Sequence, residues 1–362
     1  MTKIIISGGG TGGHIYPAIA IANALRELQP DIDILFVGAE GRMEMEKVPR
    51  AGYPIVGLPI AGIDRANLLA NLSFPLKLVR SLARARALVR EFRPDAAVGV
   101  GGYASGPILL AAHWLGVPYL IQEQNSYAGI TNKFLAKGAR KICVAYPGME
   151  AFFPDDKIRL TGNPVRADLL DVSAKRPQAL AHFGLSAKKT LLVIGGSQGA
   201  RTLNESLETG IAQLLEAGYQ VIWQTGKLFI DRARMAVEAT GGTAVFVSDF
   251  IYEMDLAYAA ADAVVSRAGA LSVSELCLTG KPAIFVPLPT AAEDHQTKNA
   301  LTLVHAQAGL LVRDADARQE LIGAALGLLK NTDLQKKLST NIRKLARPHA
   351  AREIAEEVLK LV

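Results

Sequence analysis

The chain has 362 residues, of which 50% are hydrophobic and 20% charged, so it is long enough to bury two ordinary cores. Its two cysteines, Cys143 and Cys277, both lie in apolar segments, which excludes a disulfide scaffold and points to a reducing compartment. The opening Met1-Thr2-Lys3 is too short for a secretory signal, and no apolar run approaches the roughly 20 residues a membrane span needs, so a cytoplasmic chain is expected.

The first predicted strand, Ile4–Ser7, runs through Gly8-Gly9-Gly10-Thr11-Gly12-Gly13-His14 into a helix over Ile15–Leu28. Strands follow at Ile32–Val37 and Ile55–Leu58, and then a basic helix to Phe92. After it come a strand at Ala96–Val100, a helix near Pro107–Leu115, a strand at Tyr119–Gln122, a helix near Thr131–Ala136 and a strand at Lys141–Ala145. Thr161-Gly162-Asn163-Pro164-Val165-Arg166 then breaks the alternation and reads as an interdomain crossover. The series restarts at Leu191 with a second glycine turn, Gly195-Gly196-Ser197-Gln198-Gly199-Ala200, which opens a helix over Leu203–Leu215. Strands at Val221–Gln224, Ala244–Val247, Ala263–Ser266 and Ala283–Val286 alternate with helices over Met254–Ala260, from Ser272 and from Gln296. Arg347-Pro348 should break or kink the helix before a last helix, Ala350–Leu361, able to pack back on the first domain. Strands separated by helices call for parallel sheets with right-handed crossovers. Two such series predict an α/β protein of two Rossmann-like domains facing across a cleft, spanning 1–163 and 164–345, with 346–362 returning to the first.

An apolar strand ending in glycines at a helix start is an anion site, because the backbone can approach a ligand and the helix offers unpaired amides. Gly8-x-Gly10-x-x-Gly13 matches the dinucleotide pattern, but that reading wants an acid at the end of the second strand, and Glu40, between Gly38 and Gly41, sits in a loop. A third glycine loop, Gly99 to Pro107, follows another buried strand. Three loops fit a diphosphate ligand and a separately bound second substrate better than one dinucleotide.

Charge is uneven: residues 1–163 carry 18 Lys and Arg against 13 Asp and Glu, and residues 164–362 carry 22 against 21. Lys77, Arg80, Arg84, Arg86, Arg90 and Arg93 fall in one helical stretch containing a single acid, Glu91. Leu68, Leu69, Leu72, Phe74, Leu76, Leu78, Val79 and Leu82 lie before and among them. This pattern suits an anionic membrane surface, the competing reading being a solvated helix whose leucines face the core. No aromatic residues interleave with the cations as a stacking surface for nucleic acid would require, so no nucleic-acid partner is expected.

The runs Gly9–His14, Gly101-Gly102-Tyr103-Ala104-Ser105-Gly106, Glu123-Gln124-Asn125, Gly162–Arg166, Gly195–Ala200 and Ser266-Arg267-Ala268-Gly269-Ala270-Leu271-Ser272-Val273-Ser274-Glu275 together resemble the MurG family over essentially the whole chain. These bacterial glycosyltransferases move N-acetylglucosamine from its UDP form onto the muramyl C4 hydroxyl of lipid I, giving lipid II for peptidoglycan. The resemblance implies a GT-B fold, inversion at the anomeric carbon, no metal ion and no cofactor. It also implies donor binding mostly on the C-terminal domain, a lipid acceptor on the N-terminal one, and peripheral attachment to the cytoplasmic face of the plasma membrane.

His14 is the candidate base because it ends the first glycine loop, a role the family itself leaves open, while Tyr103 and Asn125 resemble family positions around the transferred sugar and acceptor. An imidazole titrating near neutral pH suits the role; the alternative is a histidine that only orders its loop. Tyr103 could instead pack under its loop. Thr11, Gly12 and Gly13 join the donor contacts. Ser197, whose competing role is an N-cap, and Arg166 are assigned to the diphosphate, the latter on closure of the cleft. The Ala270, Leu271, Ser272, Val273 and Ser274 turn would approach sugar and phosphates, and Glu275 would hold both ribose hydroxyls. Its rival role is the capping box that Ser272-Val273-Ser274-Glu275 spells. Gln296 and Asn299 match positions holding sugar hydroxyls, and Ile251 one whose backbone reads uracil. The chain departs from many relatives at Gln122, where they carry histidine, and at His295, where some carry glutamine. Asp31-Ile32-Asp33 and Asp314-Ala315-Asp316 resemble metal-binding pairs but read as strand edges or turns. The other functions weighed are a different GT-B enzyme, namely a lipid or natural-product glycosyltransferase or a UDP-sugar 2-epimerase, and a non-catalytic nucleotide-sugar sensor.

Overall fold

The structure, a computed structural model, describes residues 1–60, 74–242, 244–291 and 294–362. It divides into two compact units, Met1–Arg166 with Pro348–Val362, and Ala167–Arg347.

The first unit contains strands β1 (Lys3–Ser7), β2 (Asp33–Ala39), β3 (Ile55–Leu58), β4 (Ala96–Gly99), β5 (Tyr119–Glu123), β6 (Lys141–Val144) and β7 (Ile158–Leu160). All pair in parallel, in the order β3-β2-β1-β4-β5-β6-β7. Ile4, Ile5 and Ile6 are fully buried, as a central parallel strand covered on both faces demands. The covering helices are α1 (Gly12–Leu28), α2 (Glu44–Arg50), α3 (Phe74–Phe92), α4 (Ser105–Trp114) and α5 (Ile130–Leu135).

The second unit contains α6 (Arg176–His182), β8 (Thr190–Ile194), α7 (Arg201–Glu216), β9 (Gln220–Gln224), α8 (Ile230–Glu238), β10 (Val245–Ser248), α9 (Met254–Ala260) and β11 (Ala263–Ser266). It continues through α10 (Ala270–Thr279), β12 (Ala283–Phe285), α11 (His295–His305), β13 (Leu310–Leu311), α12 (Ala317–Lys330) and α13 (Thr332–Arg343). Its strands are also parallel, ordered β10-β9-β8-β11-β12-β13. The chain passes Arg347-Pro348 into α14 (Ala350–Leu359), whose Ile354, Ala355 and Val358 are buried in one core with Ile15, Ile21 and Leu25 of α1.

In each sheet the order reverses at one place. β1 leads to β2 on one side while β4 lies on the other, and β8 leads to β9 while β11 lies on the other. Loops leaving adjacent strands in opposite directions open a crevice at the strands' carboxyl ends. The glycine loops after β1, β4 and β8 and the Arg267–Gly269 turn after β11 all leave these four strands.

Two local expectations shift. The helix expected from Ser272 begins at Ala270 with Gly269 in the N-cap position. Helices α2, α6, α8 and α12 and the short strands β7 and β13 were not foreseen. The expected apolar residues Leu68, Leu69 and Leu72 lie outside the described residues.

Candidate active site

In the first unit the loops interlock through absent side chains. Gly102 has φ of +89°, and a Cβ there would collide with the Gly9 backbone; one on Gly101 would sit 2.7 Å from Nδ1 of His14. Ser105 Oγ lies 2.9 Å from the Ser7 carbonyl and 2.8 Å from that of Gly101, joining the starts of both loops. The carboxylate of Glu44, fully buried, accepts the Gly10 and Ala39 amides, each at 2.9 Å. It clamps the glycine loop to the end of β2, a role sequence reading missed.

His14 lies in the first turn of α1, with Nδ1 3.1 Å from Oε1 of Gln124. Tyr103 is 48% exposed, and its ring edge is 3.8 Å from where a Gly10 Cβ would stand, beside that loop. The Asn125 main-chain amide and Nδ2 donate to Oε1 of Glu123 at 3.1 and 3.4 Å. Glu123 Oε2 accepts from Gly129 N–H and Asn132 Nδ2 at 3.1 and 2.8 Å, so this buried carboxylate shapes the whole 125–129 loop. His14, in the first turn of α1, and Tyr103 and Asn125, on two loops, thus stand at the carboxyl end of one sheet. Thr11 is exposed, while Gly12, Gly13 and Arg166 are half-buried. Glu40, the dinucleotide candidate, is ion-paired with Arg84 at 2.9 Å.

In the second unit Ser197 is exposed in the turn after β8, and Ala200 takes the N-cap of α7, so Ser197 does not cap that helix. Gln224, at the end of β9, donates from Nε2 to the Gly196 carbonyl at 2.9 Å and accepts the Ile251 amide at 3.2 Å. One buried amide side chain therefore ties the glycine turn after β8 to the segment at Ile251, a link that their distance in sequence conceals.

Helices α1, α7 and α10 have no side-chain cap and no acid in their first turns. Their leading ends therefore keep the amide dipoles and partial positive charge that anions prefer. In α10, Ala270, Leu271 and Ser272 are half-buried and Val273 is buried, while Ser274 Oγ donates back to the Ala270 carbonyl at 2.9 Å. The earlier helix start puts Ser272 inside the helix, so the capping box is not formed. Glu275 instead accepts the hydroxyl of buried Tyr258 at Oε2, 2.9 Å away. A carboxylate has acceptor capacity well beyond one hydroxyl.

Gln296 accepts the Leu288 amide at Oε1, 3.0 Å away, and Asn299, fully buried, donates to the Ala268 carbonyl at 3.2 Å. Asn299 is thus placed to hold the turn leading into α10. Arg267 secures the same turn, donating to the carbonyls of Val286 and Pro287 and pairing with Asp314 at 2.5 Å. Asp316 pairs with Arg313 at 2.7 Å, so both acids of this Asp-x-Asp run are engaged by arginines. Burial pushes the thiols of Cys143 and Cys277 up to about 12, which leaves neither as a nucleophile.

On the first unit, α3 buries Ser81, Ala85 and Val89 and exposes Leu76 and Val79 beside Lys77 and Arg80. Helix α4 packs against α3 and α5 against α4. They add exposed Trp114, Ile130 and Phe134. Among the described residues no helix is long and apolar enough to cross a membrane.

The glycosyltransferase family 28 N-terminal domain matches residues 4–144, and the C-terminal domain of the same family matches 190–358. The chain is 57% identical over 99% of its length, and 98% of the relative's, to a UDP-N-acetylglucosamine–N-acetylmuramyl-(pentapeptide) pyrophosphoryl-undecaprenol N-acetylglucosamine transferase of Parabacteroides distasonis. It is 58% identical to the protein of that description from Bacteroides fragilis, covering 99% of this chain and 95% of the other. The crystal structure of Acinetobacter baumannii MurG superposes with a TM-score of 0.77 at 29% identity, covering 99% of this chain and 100% of that one. A UDP-N-acetylglucosamine 2-epimerase matches with a TM-score of 0.68 at 16% identity, over 99% of this chain and 96% of that one, a likeness of fold alone. The two parallel-sheet units form the GT-B class, and the chain belongs to glycosyltransferase family 28, within the MurG family.

Proposed function

We infer that the chain is an inverting hexosyltransferase that moves N-acetylglucosamine from UDP-N-acetylglucosamine to the C4 hydroxyl of the muramyl sugar of lipid I, giving lipid II. Apart from the family, the observation that carries this reading is the chemistry of the two crevices. The second unit starts α7 and α10 after adjacent strands with no acid in their first turns and carries the buried Glu275 on α10, and the first holds an imidazole on the opening turn of α1 beside glycine loops.

The roles divide by unit. In the second, the leading amides of α7 and α10, with Ser197, meet the diphosphate; Glu275 holds the ribose hydroxyls, the Ile251 backbone meets the uracil, and Gln296 meets the sugar. In the first, Thr11, Gly12 and Gly13 line the approach of the sugar, with Tyr103 and Asn125 beside the acceptor. The acceptor O4 forms a bond to the anomeric carbon as the bond to the diphosphate oxygen breaks, and its proton passes to His14. A positioned base contributes about 10²–10⁴-fold to such a step. Charge building on the departing UDP is met by fixed amides, which need no reorganisation at the moment of reaction, and by the Arg166 guanidinium.

A lipid-linked acceptor stays in its bilayer, since each buried CH₂ is worth about 0.8 kcal/mol. The exposed Leu76, Val79, Trp114, Ile130 and Phe134, with Lys77 and Arg80, support peripheral attachment of the first unit to the anionic cytoplasmic face of the plasma membrane. A coupled assay of UDP release tests the reaction class. Release should require both the UDP-sugar and a lipid I analogue. Release without acceptor, or accumulation of the 2-epimer of the donor, would replace transfer by hydrolysis or epimerisation.

A further inference from the structure

The side chain that faces His14 is itself locked by a chain of amides that ends on main-chain carbonyls. Gln124 is 2% exposed, and its Nε2 lies 2.5 Å from the Val100 carbonyl. A carbonyl oxygen only accepts, so the terminal atom facing it is the amide nitrogen, which also donates to Oε1 of Gln122. Asn163 repeats the logic one step out. Its Nδ2 donates to the main-chain carbonyl of Gln124 at 3.0 Å, which leaves Oδ1 to accept from Gln122 Nε2 at 3.1 Å. Every amide in the series therefore has one orientation, and each is buried. The end of the series is Gln124 Oε1, an acceptor, 3.1 Å from Nδ1 of His14.

We propose that Gln124, held by Gln122 and Asn163, is a positioning residue that keeps the neutral His14 ring protonated at Nδ1, so that Nε2 carries the lone pair needed to take the acceptor proton. The proposal rests on the reading of His14 as the base and names what makes it competent. Histidine in water favours the opposite form, with the proton on Nε2, in which that nitrogen has no lone pair to offer. An acceptor at Nδ1 reverses that preference. A carboxylate partner would do the same and add its charge; a neutral amide fixes the tautomer through the hydrogen bond alone. Gln122 takes its part here as a link in the amide chain.

The test is nitrogen NMR of full-length protein labelled with ¹⁵N-histidine, at a pH where His14 is neutral. The chain has six histidines, and the His14 signals are identified by their loss in His14→Ala. The expected spectrum has Nδ1 protonated and Nε2 unprotonated. A wild-type ring protonated at Nε2 overturns the proposal. In Gln124→Met, which keeps the length but removes the acceptor, the Nε2–H form should gain population. In that variant kcat should fall about 10–100-fold while KM for UDP-N-acetylglucosamine stays within about twofold, a misaligned reactive group being costly even at small displacements. An unchanged tautomer in folded Gln124→Met also overturns it. Should that variant fail to fold, the wild-type spectrum alone decides. His14→Ala turnover reports separately on the base itself: a variant with full activity refutes that role and leaves the tautomer assignment standing.

Discussion

Replacing Glu275 by alanine should produce two separable losses. The carboxylate is 8% exposed, sits on α10 and accepts the hydroxyl of Tyr258, which is fully buried. Removing it leaves that hydroxyl without this acceptor, at a cost of about 1–3 kcal/mol in folding stability. The ribose hydroxyls of the donor lose the same carboxylate, and binding should weaken by roughly 1–3 kcal/mol, or about 5–150-fold in Kd. Calorimetric titration with UDP and chemical denaturation read the two losses independently. Adding Tyr258→Phe to Glu275→Ala removes the hydroxyl that lost this acceptor, so stability should recover in part while donor affinity stays low. A folded Glu275→Ala variant that binds UDP as tightly as wild type would refute the ribose role and leave the carboxylate a structural one.

His14→Ala should lower turnover by about 10²–10⁴-fold with donor affinity nearly unchanged, and the acidic limb of the pH–rate profile should change with it; near-normal turnover would move the base elsewhere. Because the proposed diphosphate contacts are amides, Ser197 and Arg166, transfer should survive EDTA, and loss of activity restored by magnesium would contradict this account. Co-sedimentation should show binding to anionic vesicles that weakens with salt and drops when Arg80, Arg84 and Arg86 are changed to Glu. Each free cation is worth about 1 kcal/mol near such a leaflet. Arg84 should add less than the other two because it already pairs with Glu40. Equal binding by the triple variant would return α3 to an ordinary solvated helix.

The parallel-sheet architecture was legible because its signals are local. Ile4-Ile5-Ile6 and Leu191–Ile194 each run straight into a glycine turn and an apolar-periodic helix, and these became β1, β8 and the helices after them. Helix α2 was hidden by its brevity and by Pro49 near its end, and β13 has only two residues, too few for any periodicity. The capping box spelled by Ser272 to Glu275 misplaced the start of α10, since Gly269 in extended backbone begins the helix two residues earlier.

At the site, sequence could nominate residues in loops but not what holds them. Glu44 meets Gly10 across 34 positions, Gln224 meets Ile251 across 27, and Tyr258 meets Glu275 across 17. None of these pairings leaves a periodic or spacing signal. One clue was available in retrospect. Gln122 and Gln124 are polar residues in a buried strand and its immediate extension, a combination that requires partners wherever it occurs.

Proton NMR of the isolated lipid product tests the central claim most directly. After reaction of UDP-N-acetylglucosamine with a lipid I analogue, the product should carry one added N-acetylglucosamine, β-linked to O4 of the muramyl residue, with the α configuration of the donor inverted. An α-linked sugar, attachment at another oxygen, or a lipid recovered without added sugar would contradict the account.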